Sequence, residues 1–325
     1  MNRRDASRIL GLLPLAAAWP LFAQGPSTFR VAWVSTDRKG VPSANLEAFR
    51  AGMRDAGNVE GGSYVVDLWS GDGAGERVVE LVPAIMRSRP DVIVAAGGAA
   101  LFPLVRAGVT TPIVFSISAD PVEARIIDSF ARPGGNLTGI SLFTLALVGK
   151  RMELMKEALP GLKRIAVIGN TQHPGETKER DAAQTAASAL GLSMRYYPVT
   201  SGAELEAALA DIARKRDEAI LAFADGFTLG FAGRIAEFSV QHRIPAVDGW
   251  APFAEAGNLM TYGPVFADVY RRLASYVERI RKGAKPGDLP VELPLKIELV
   301  INVKAARALG ITIPRRVLER AEVIR

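Results

Sequence analysis

The stretch DVIVAAGGAALFPLV, residues 91–105, decides how the rest of the chain is read. A run of β-favouring apolar residues ends on Gly97 and Gly98, and the residues that follow have helical spacing. A strand that becomes a helix through glycine gathers free backbone N–H groups and the positive end of a helix dipole at one point, which favours an anionic group. A nucleotide phosphate, a reaction intermediate or a solute carboxylate would each suit that point, and the surrounding sequence must discriminate among them.

Outward from it, apolar runs alternate with amphipathic stretches. Strands are expected at 29–35, 63–69, 91–97 and 112–117, and helices at 45–57, 75–88, 99–107 and 121–130. In the helix at 45–57, Leu46, Phe49, Met53 and Ala56 share one face. The segment ARPGGNLTGIS, residues 131–141, breaks the rhythm with turn chemistry at Pro133 and Gly134. The rhythm then restarts, with helices at 145–158, 176–190, 203–214 and 228–241 and strands at 164–169, 193–197, 218–224 and 244–248. RPDVIVAAGG (89–98) and KRDEAILAFADG (215–226) echo one another, as two similarly wired lobes would, although generic strand–helix units also resemble one another by chance. The expected class is α/β, with two Rossmann-like lobes built on parallel sheets. A strand at 258–263, a long helix at 265–282, a Pro/Gly connector and a strand at 296–302 remain after two complete lobes, so the chain is expected to cross between lobes more than once.

Bulk properties narrow the function. A length of 325 residues suits about two domains. Arg3, Arg4 and Arg8 precede an apolar run from Ile9 to Ala23 that is short for a membrane span of roughly 20 residues and fits a secretory signal over residues 1–23. The paired arginines leave the Sec and twin-arginine routes both open. Removing that segment takes away three Arg and one Asp, which lowers the net charge from +6 to +4. So mild and scattered a charge gives no reason to expect nucleic acid or an anionic membrane as partner. The absence of cysteine excludes disulfides, thiolate metal sites, a cysteine nucleophile and a lipid-anchored cysteine. A soluble, exported, periplasmic protein is expected.

Ligands of open parallel sheets sit beyond the carboxyl ends of the strands. The candidates there are Ser35, Thr36 and Asp37; Gly97, Gly98 and Ala99; Ser116 and Asp120; and, in the second half, Asn170, Asp225, Asp248 and Tyr262. Gly97, Gly98 and Ala99 are read as backbone donors for a carboxylate, against the alternative of a tight turn that merely needs glycine. Ser35, Thr36 and Asp37 can meet a solute or cap a helix, and Asp120 before Pro121 reads more readily as a cap. Asp225, then Asp248, are the choices for an ammonium group, since a carboxylate in a shut cleft needs a cationic partner. Trp33, Phe227 and Trp250 can stack on a flat solute, although Trp33 and Trp69 read as packing.

Two features are decoys. SGDGAGER (70–77) lacks the third glycine of a dinucleotide loop, where Glu76 stands, and reads as a flexible surface loop. His173 and His242 are the only histidines and lack metal-ligand spacing, so no zinc site is expected. No Gly-x-Ser-x-Gly elbow occurs, and no catalytic residue, metal or cofactor is assigned.

Several stretches together resemble the substrate-binding proteins of ABC importers, in the family whose best understood members bind tryptophan or related aromatic amino acids. They are GGAA after a strand, TPIVFSISADPVEA, FARPGGNLTGIS, KRMELMKEALPGLKRIAVIGN, FAEAGNLMTYGP and DLPVELPLKIELVINVKAARALGITIP. The resemblance implies a type I periplasmic-binding architecture with three interlobe crossovers, one small solute held in the cleft by hinge closure, and an ABC permease as partner. The expected lobes are residues 28–141 with 264–290 and residues 142–263 with 291–325, hinged near 141, 263 and 291, in a monomer. The guest is expected to be an amino acid or a related small organic anion or zwitterion. The family usually has Thr-Pro after the glycine, where this chain has Gly98 and Ala99, so the guest's identity is not carried over. A ligand sensor for a membrane receptor, and a hydrolase or oxidoreductase on a two-lobed scaffold, are the alternatives. A transcriptional effector is disfavoured by export and by the absence of an N-terminal DNA-binding helix pair.

Overall fold

The computed structural model describes residues 28–142 and 144–325, so the expected signal segment lies outside the described residues. The first half runs β1 (Phe29–Ser35), α1 (Ala44–Asp55), β2 (Tyr64–Ser70), α2 (Gly75–Arg87), β3 (Val92–Ala96), α3 (Gly98–Arg106), β4 (Ile113–Ile117) and β5 (Leu137–Ser141). The second runs α4 (Thr144–Ala158), β6 (Arg164–Asn170), α5 (Glu176–Ala189), β7 (Ser193–Val199), α6 (Gly202–Lys215), β8 (Ala219–Ala222), α7 (Gly226–Gly230), α8 (Ala232–His242), β9 (Ala246–Asp248), α9 (Ala251–Glu255) and β10 (Met260–Pro264). The chain closes with α10 (Phe266–Arg281), β11 (Ile297–Asn302), α11 (Val303–Leu309), α12 (Arg315–Leu318) and β12 (Glu322–Ile324).

Two sheets result, in the orders β2-β1-β3-β4-β5 and β12-β11-β10-β9-β8-β6-β7. The strands of the first sheet are apolar on both faces because helices cover both. Val31, Trp33, Val92 and Val94 face α1 and α10, whereas Ala32, Val34, Ile93 and Ala95 face α2 and α3. The second sheet is covered in the same way, with Ile165 and Val167 toward α4 and α5, and Ala166 and Ile168 toward α6 and α8.

Three passages join the lobes. The chain first crosses between β5 and α4. It returns after β10, and the buried stripe of α10, including Val269, Leu273 and Val277, packs in the core of the first lobe beside Phe49 and Met53 of α1. Residues up to Glu292 then bond to the edge of the first sheet, with Glu292 N–H donating to the Gly139 carbonyl at 3.0 Å and Ser141 N–H to the Glu292 carbonyl at 3.0 Å. The third passage leads into β11, which pairs antiparallel with β10, Pro264 opposite Ile297. This is the one departure from parallel pairing among the described strands, and connectivity explains it. The chain re-enters the second lobe at the end where β10 left it, so β11 runs back alongside β10.

Three local expectations change, the first being that the break expected over 131–141 ends in the strand β5, which pairs with β4. The helix expected at 121–130 is a set of turns. Arg125 takes a φ of 56°, outside the helical region, and Asp128 N–H donates to the Pro133 carbonyl at 2.8 Å. The helix expected at 228–241 is divided at Phe231, because Asp225 starts α7 with a reciprocal cap to Thr228 and Phe231 ends it. The short elements α9, α12 and β12 carry too little periodicity to be expected from sequence.

Candidate functional site

In the first lobe the strand ends carry the polar residues that sequence singled out. Gly97 caps α3 at φ 96°, a conformation glycine adopts without strain. Its N–H is spent on the Ser116 carbonyl at 2.9 Å, which corrects the reading of Gly97 as a donor. The N–H groups of Gly98 and Ala99, in the first turn of α3, have no acceptor among the described residues. Ser116 is fully buried, and its hydroxyl donates to Tyr270 Oη at 3.0 Å. Burial raises the Tyr270 phenol to about 12. The Ser35 hydroxyl accepts from Asp37 N–H at 3.2 Å, the Asp37 carbonyl accepts from Ser70 Oγ, and the Thr36 carbonyl accepts from Gly73 N–H at 2.8 Å. The loop at 71–74 is therefore pinned to the end of β1. Asp120 accepts from Val122 and Glu123 N–H at 2.8 and 3.2 Å, so it closes a turn in place of capping the helix expected there.

In the second lobe, Asn170 Nδ2 donates to Asp225 Oδ2 at 2.8 Å, and Asp225 Oδ1 accepts from Thr228 N–H at 2.7 Å. Asp248 is fully buried; its Oδ1 accepts from the Gly249 and Trp250 N–H groups, and its Oδ2 has no partner. Tyr262 contributes its carbonyl, which accepts from Arg151 Nε at 2.8 Å. Arg151, on α4, is 1% exposed; its Nη1 donates to the Thr144 carbonyl at 3.2 Å, and its Nη2 has no partner. Glycine at 249 makes room for it, since a Cβ there would overlap the guanidinium.

Beside them stand His173, Glu176 and Glu179, where β6 turns into α5. Glu179 is 3% exposed with Oε1 unpartnered, and its Oε2 lies 4.0 Å from His173 Nδ1. Burial raises both Glu179 and Asp248 to about 7, with the nearby Arg151 charge opposing the rise in each. Burial likewise lowers His173, which favours the neutral ring.

The two sides touch. His173 Nε2 lies 2.7 Å from Ser118 Oγ, Thr144 Oγ1 donates to the Ser118 carbonyl at 2.7 Å, and Lys178 pairs with Glu123. Trp250 and Ala224 pack in the first lobe's core cluster, with the Trp250 ring 5.2 Å from that of Phe266. Trp33 is core, 5.7 Å from the Tyr270 ring, and Phe227 packs on Phe231 at 5.0 Å with the rings tilted. Trp69 is partly buried against the other core face.

Sequence reasoning missed Arg151, Glu176, Glu179 and Ser118, and considered His173 only as a metal ligand. Arg151 did leave a signal, because it lies on the apolar stripe of α4 beside Val148, Met152 and Met155, where an unpaired charge is anomalous. No cluster able to hold a metal ion occurs among the described residues. No helix among them is long and apolar enough to cross a membrane.

Two parallel-sheet α/β lobes joined by three crossovers, with polar strand ends facing one another, define the type I periplasmic-binding architecture. Residues 42–324 match the family described as ABC transporter substrate binding protein, and the chain belongs to that family. A tyrosine-binding protein of Clostridioides difficile is 21% identical over 263 residues, covering 81% of this chain and 75% of that protein. A conserved domain protein of Vibrio cholerae shares the fold at a TM-score of 0.82 and 29% identity, covering 92% of this chain and 100% of that one. A Streptococcus pneumoniae ABC domain in complex with L-Trp also superposes at a TM-score of 0.82, with 24% identity, 92% of this chain and 100% of that one covered.

Proposed function

We propose that the protein is the exported receptor of an ABC importer, closing its lobes on one small solute, an amino acid or a related small organic anion or zwitterion, and presenting the closed form to a permease in the inner membrane. The observation that carries the reading is the buried polar cluster of Arg151, Asp248 and Glu179, which has unpartnered atoms and is joined to the first lobe through His173 and Ser118. Buried polar groups of a folded protein are ordinarily bonded, so a set left open together fits a partner that arrives from outside. In this reading the Gly98 and Ala99 N–H groups face the solute's anionic end and the second-lobe carboxylates its ammonium. Asp225 and Asp248 both serve, Asp248 having the free oxygen. Ser35, Thr36, Asp37, Ser116, Asp120, Asn170 and Tyr262 shape the walls. The passages near residues 141, 263 and 291 act as hinges, and the protein works as a periplasmic monomer. Aromatic amino acids are the first guests to try, since one relative is a tyrosine-binding protein and one structural neighbour is in complex with L-Trp.

Thermal-shift screening of amino acids and small organic acids tests the reading. A guest at a hundred times its Kd adds about 2.7 kcal/mol, a rise in Tm of roughly 5 to 10 °C. A panel that leaves Tm unmoved, or a hit that the purified protein chemically converts, goes against it.

A further inference from the structure

Asp248 and Glu179 leave a charge unanswered. The buried cluster holds these two carboxylates, together with the buried Asp225 and Glu176, against one guanidinium, that of Arg151. Two of the three Arg151 nitrogens are committed to backbone carbonyls, those of Thr144 and Tyr262, which fixes the guanidinium in place. Asp248 Oδ2 and Glu179 Oε1 are both buried, both acceptors and both unpartnered. One guanidinium can balance one carboxylate. Asp225 is answered by Asn170 and Thr228, and the remaining charge must either take up a proton or meet a cation, because an uncompensated buried charge costs several kcal/mol.

We propose that Glu179 is a guest-binding residue, forming with Asp248 a pocket for the protonated amine of the solute, with Arg151 as the fixed counter-ion that holds one negative charge in place. The inference rests on the reading of the cleft as a solute site, and goes beyond it by naming the guest's required group: an ammonium is obligatory, and an acid without one is rejected. An ammonium has three N–H donors, enough to answer both free oxygens at once, whereas a carboxylate or hydroxyl guest leaves the charge in place. The groups facing this pair are Arg151 from α4, Asp225 at the start of α7, His173 and Glu176 at the start of α5, Tyr196 from β7 and Tyr262 from β10. His173 is kept neutral by burial, so Arg151 is the one strong cation among them. Without guest, burial raises both carboxyls to about 7, so near neutral pH they hold about one proton between them. Arrival of the ammonium displaces that proton to solvent, so capture near neutral pH releases up to one proton.

The test is titration calorimetry of the full protein at pH 7, using the common L-amino acids, each beside its decarboxylated amine and its deaminated acid, in two buffers of different ionisation enthalpy. Every binder is expected to carry an amine, and the tightest is expected to lose ten- to a hundredfold in affinity in Glu179→Gln, the range of a charge-assisted bond. That variant is also expected to release fewer protons on binding while keeping its circular dichroism and a cooperative melt, a combination that a purely structural role for Glu179 would not produce. A deaminated acid that binds as tightly as its amine, or a Glu179→Gln variant with unchanged affinity and proton release, overturns the inference and leaves the solute-binding reading standing. Silence of the wild-type protein toward the whole panel overturns both.

Discussion

Ser118 of the first lobe and His173 of the second meet across the interlobe boundary, Oγ to Nε2 at 2.7 Å. Neither residue lies in a regular element: Ser118 follows β4, and His173 precedes α5. The contact is therefore made by the loops at strand ends that face each other, and it ties the first lobe to the loop that carries the second lobe's acidic cluster.

Removing this contact should favour separation of the lobes. His173→Ala is expected to raise the radius of gyration of the guest-free protein in small-angle scattering and to weaken guest binding by roughly two- to tenfold, the range of one net hydrogen bond. Ser118→Ala should match it, and the double variant should add little. Full additivity would show that the two side chains act separately.

Stability should depend on pH in a stated direction. Glu179 and Asp248 stand near 7 in the folded protein, raised by burial from their ordinary values of 4.5 and 3.8. Between those values the folded chain holds more protons than the unfolded one, so the stabilisation is present below about pH 4 and fades as the pH climbs through about 7. His173, lowered by burial from 6.5, acts in the opposite sense below that value. From pH 6.5 to 8 the carboxylate effect acts without that opposition. The guest-free Tm should fall over this window, by an amount on the order of 1 kcal/mol in stability, and fall less in Glu179→Gln and Asp248→Asn.

Asp225 has two duties that substitution can separate. It caps α7 through Thr228 and bonds Asn170 at 2.8 Å. Asp225→Ala should cost about 1 kcal/mol of stability, the worth of a cap, and at least tenfold in guest affinity. Asp225→Asn retains capping ability and should recover most of the Tm while leaving the affinity low. Recovery of both would reduce Asp225 to a cap, measurable by thermal melts beside calorimetry.

Gly249→Ala should displace Arg151, because the added methyl overlaps the guanidinium and the neighbouring Ala224 Cβ. Overpacking of this kind costs about 1–3 kcal/mol. Guest binding should weaken along with the melting temperature, since the guanidinium is the counter-ion of the cluster. A variant that melts lower yet binds normally would separate Arg151 from the site.

The architecture was legible because periodicity repeats. Parallel strands covered on both faces read as short apolar runs, and Val31 to Val34 or Ile165 to Ile168 could scarcely be anything else. The antiparallel turn of β11 was not legible, since it follows from where the chain re-enters the second lobe and not from the composition of the strand. The site was half legible. Residues at strand ends, such as Asp248 and Gly98, could be named from topology alone, but whether a given N–H is free depends on its neighbour strand, which is how Gly97 was misread. Glu179 sits in the first turn of α5, where an acidic residue ordinarily reads as a helix-dipole partner, and only burial sets it apart. His173 gained its role from Ser118, 55 positions away, which no local pattern records.

Trp250 belongs to the second lobe's chain but rests in the first lobe's core cluster, and its indole N–H has no hydrogen-bond partner. The protein thereby carries its own optical gauge. An indole in so dry a setting emits at short wavelength, and any parting of the lobes that wets it shifts the emission to the red, so opening can be followed in real time without a label.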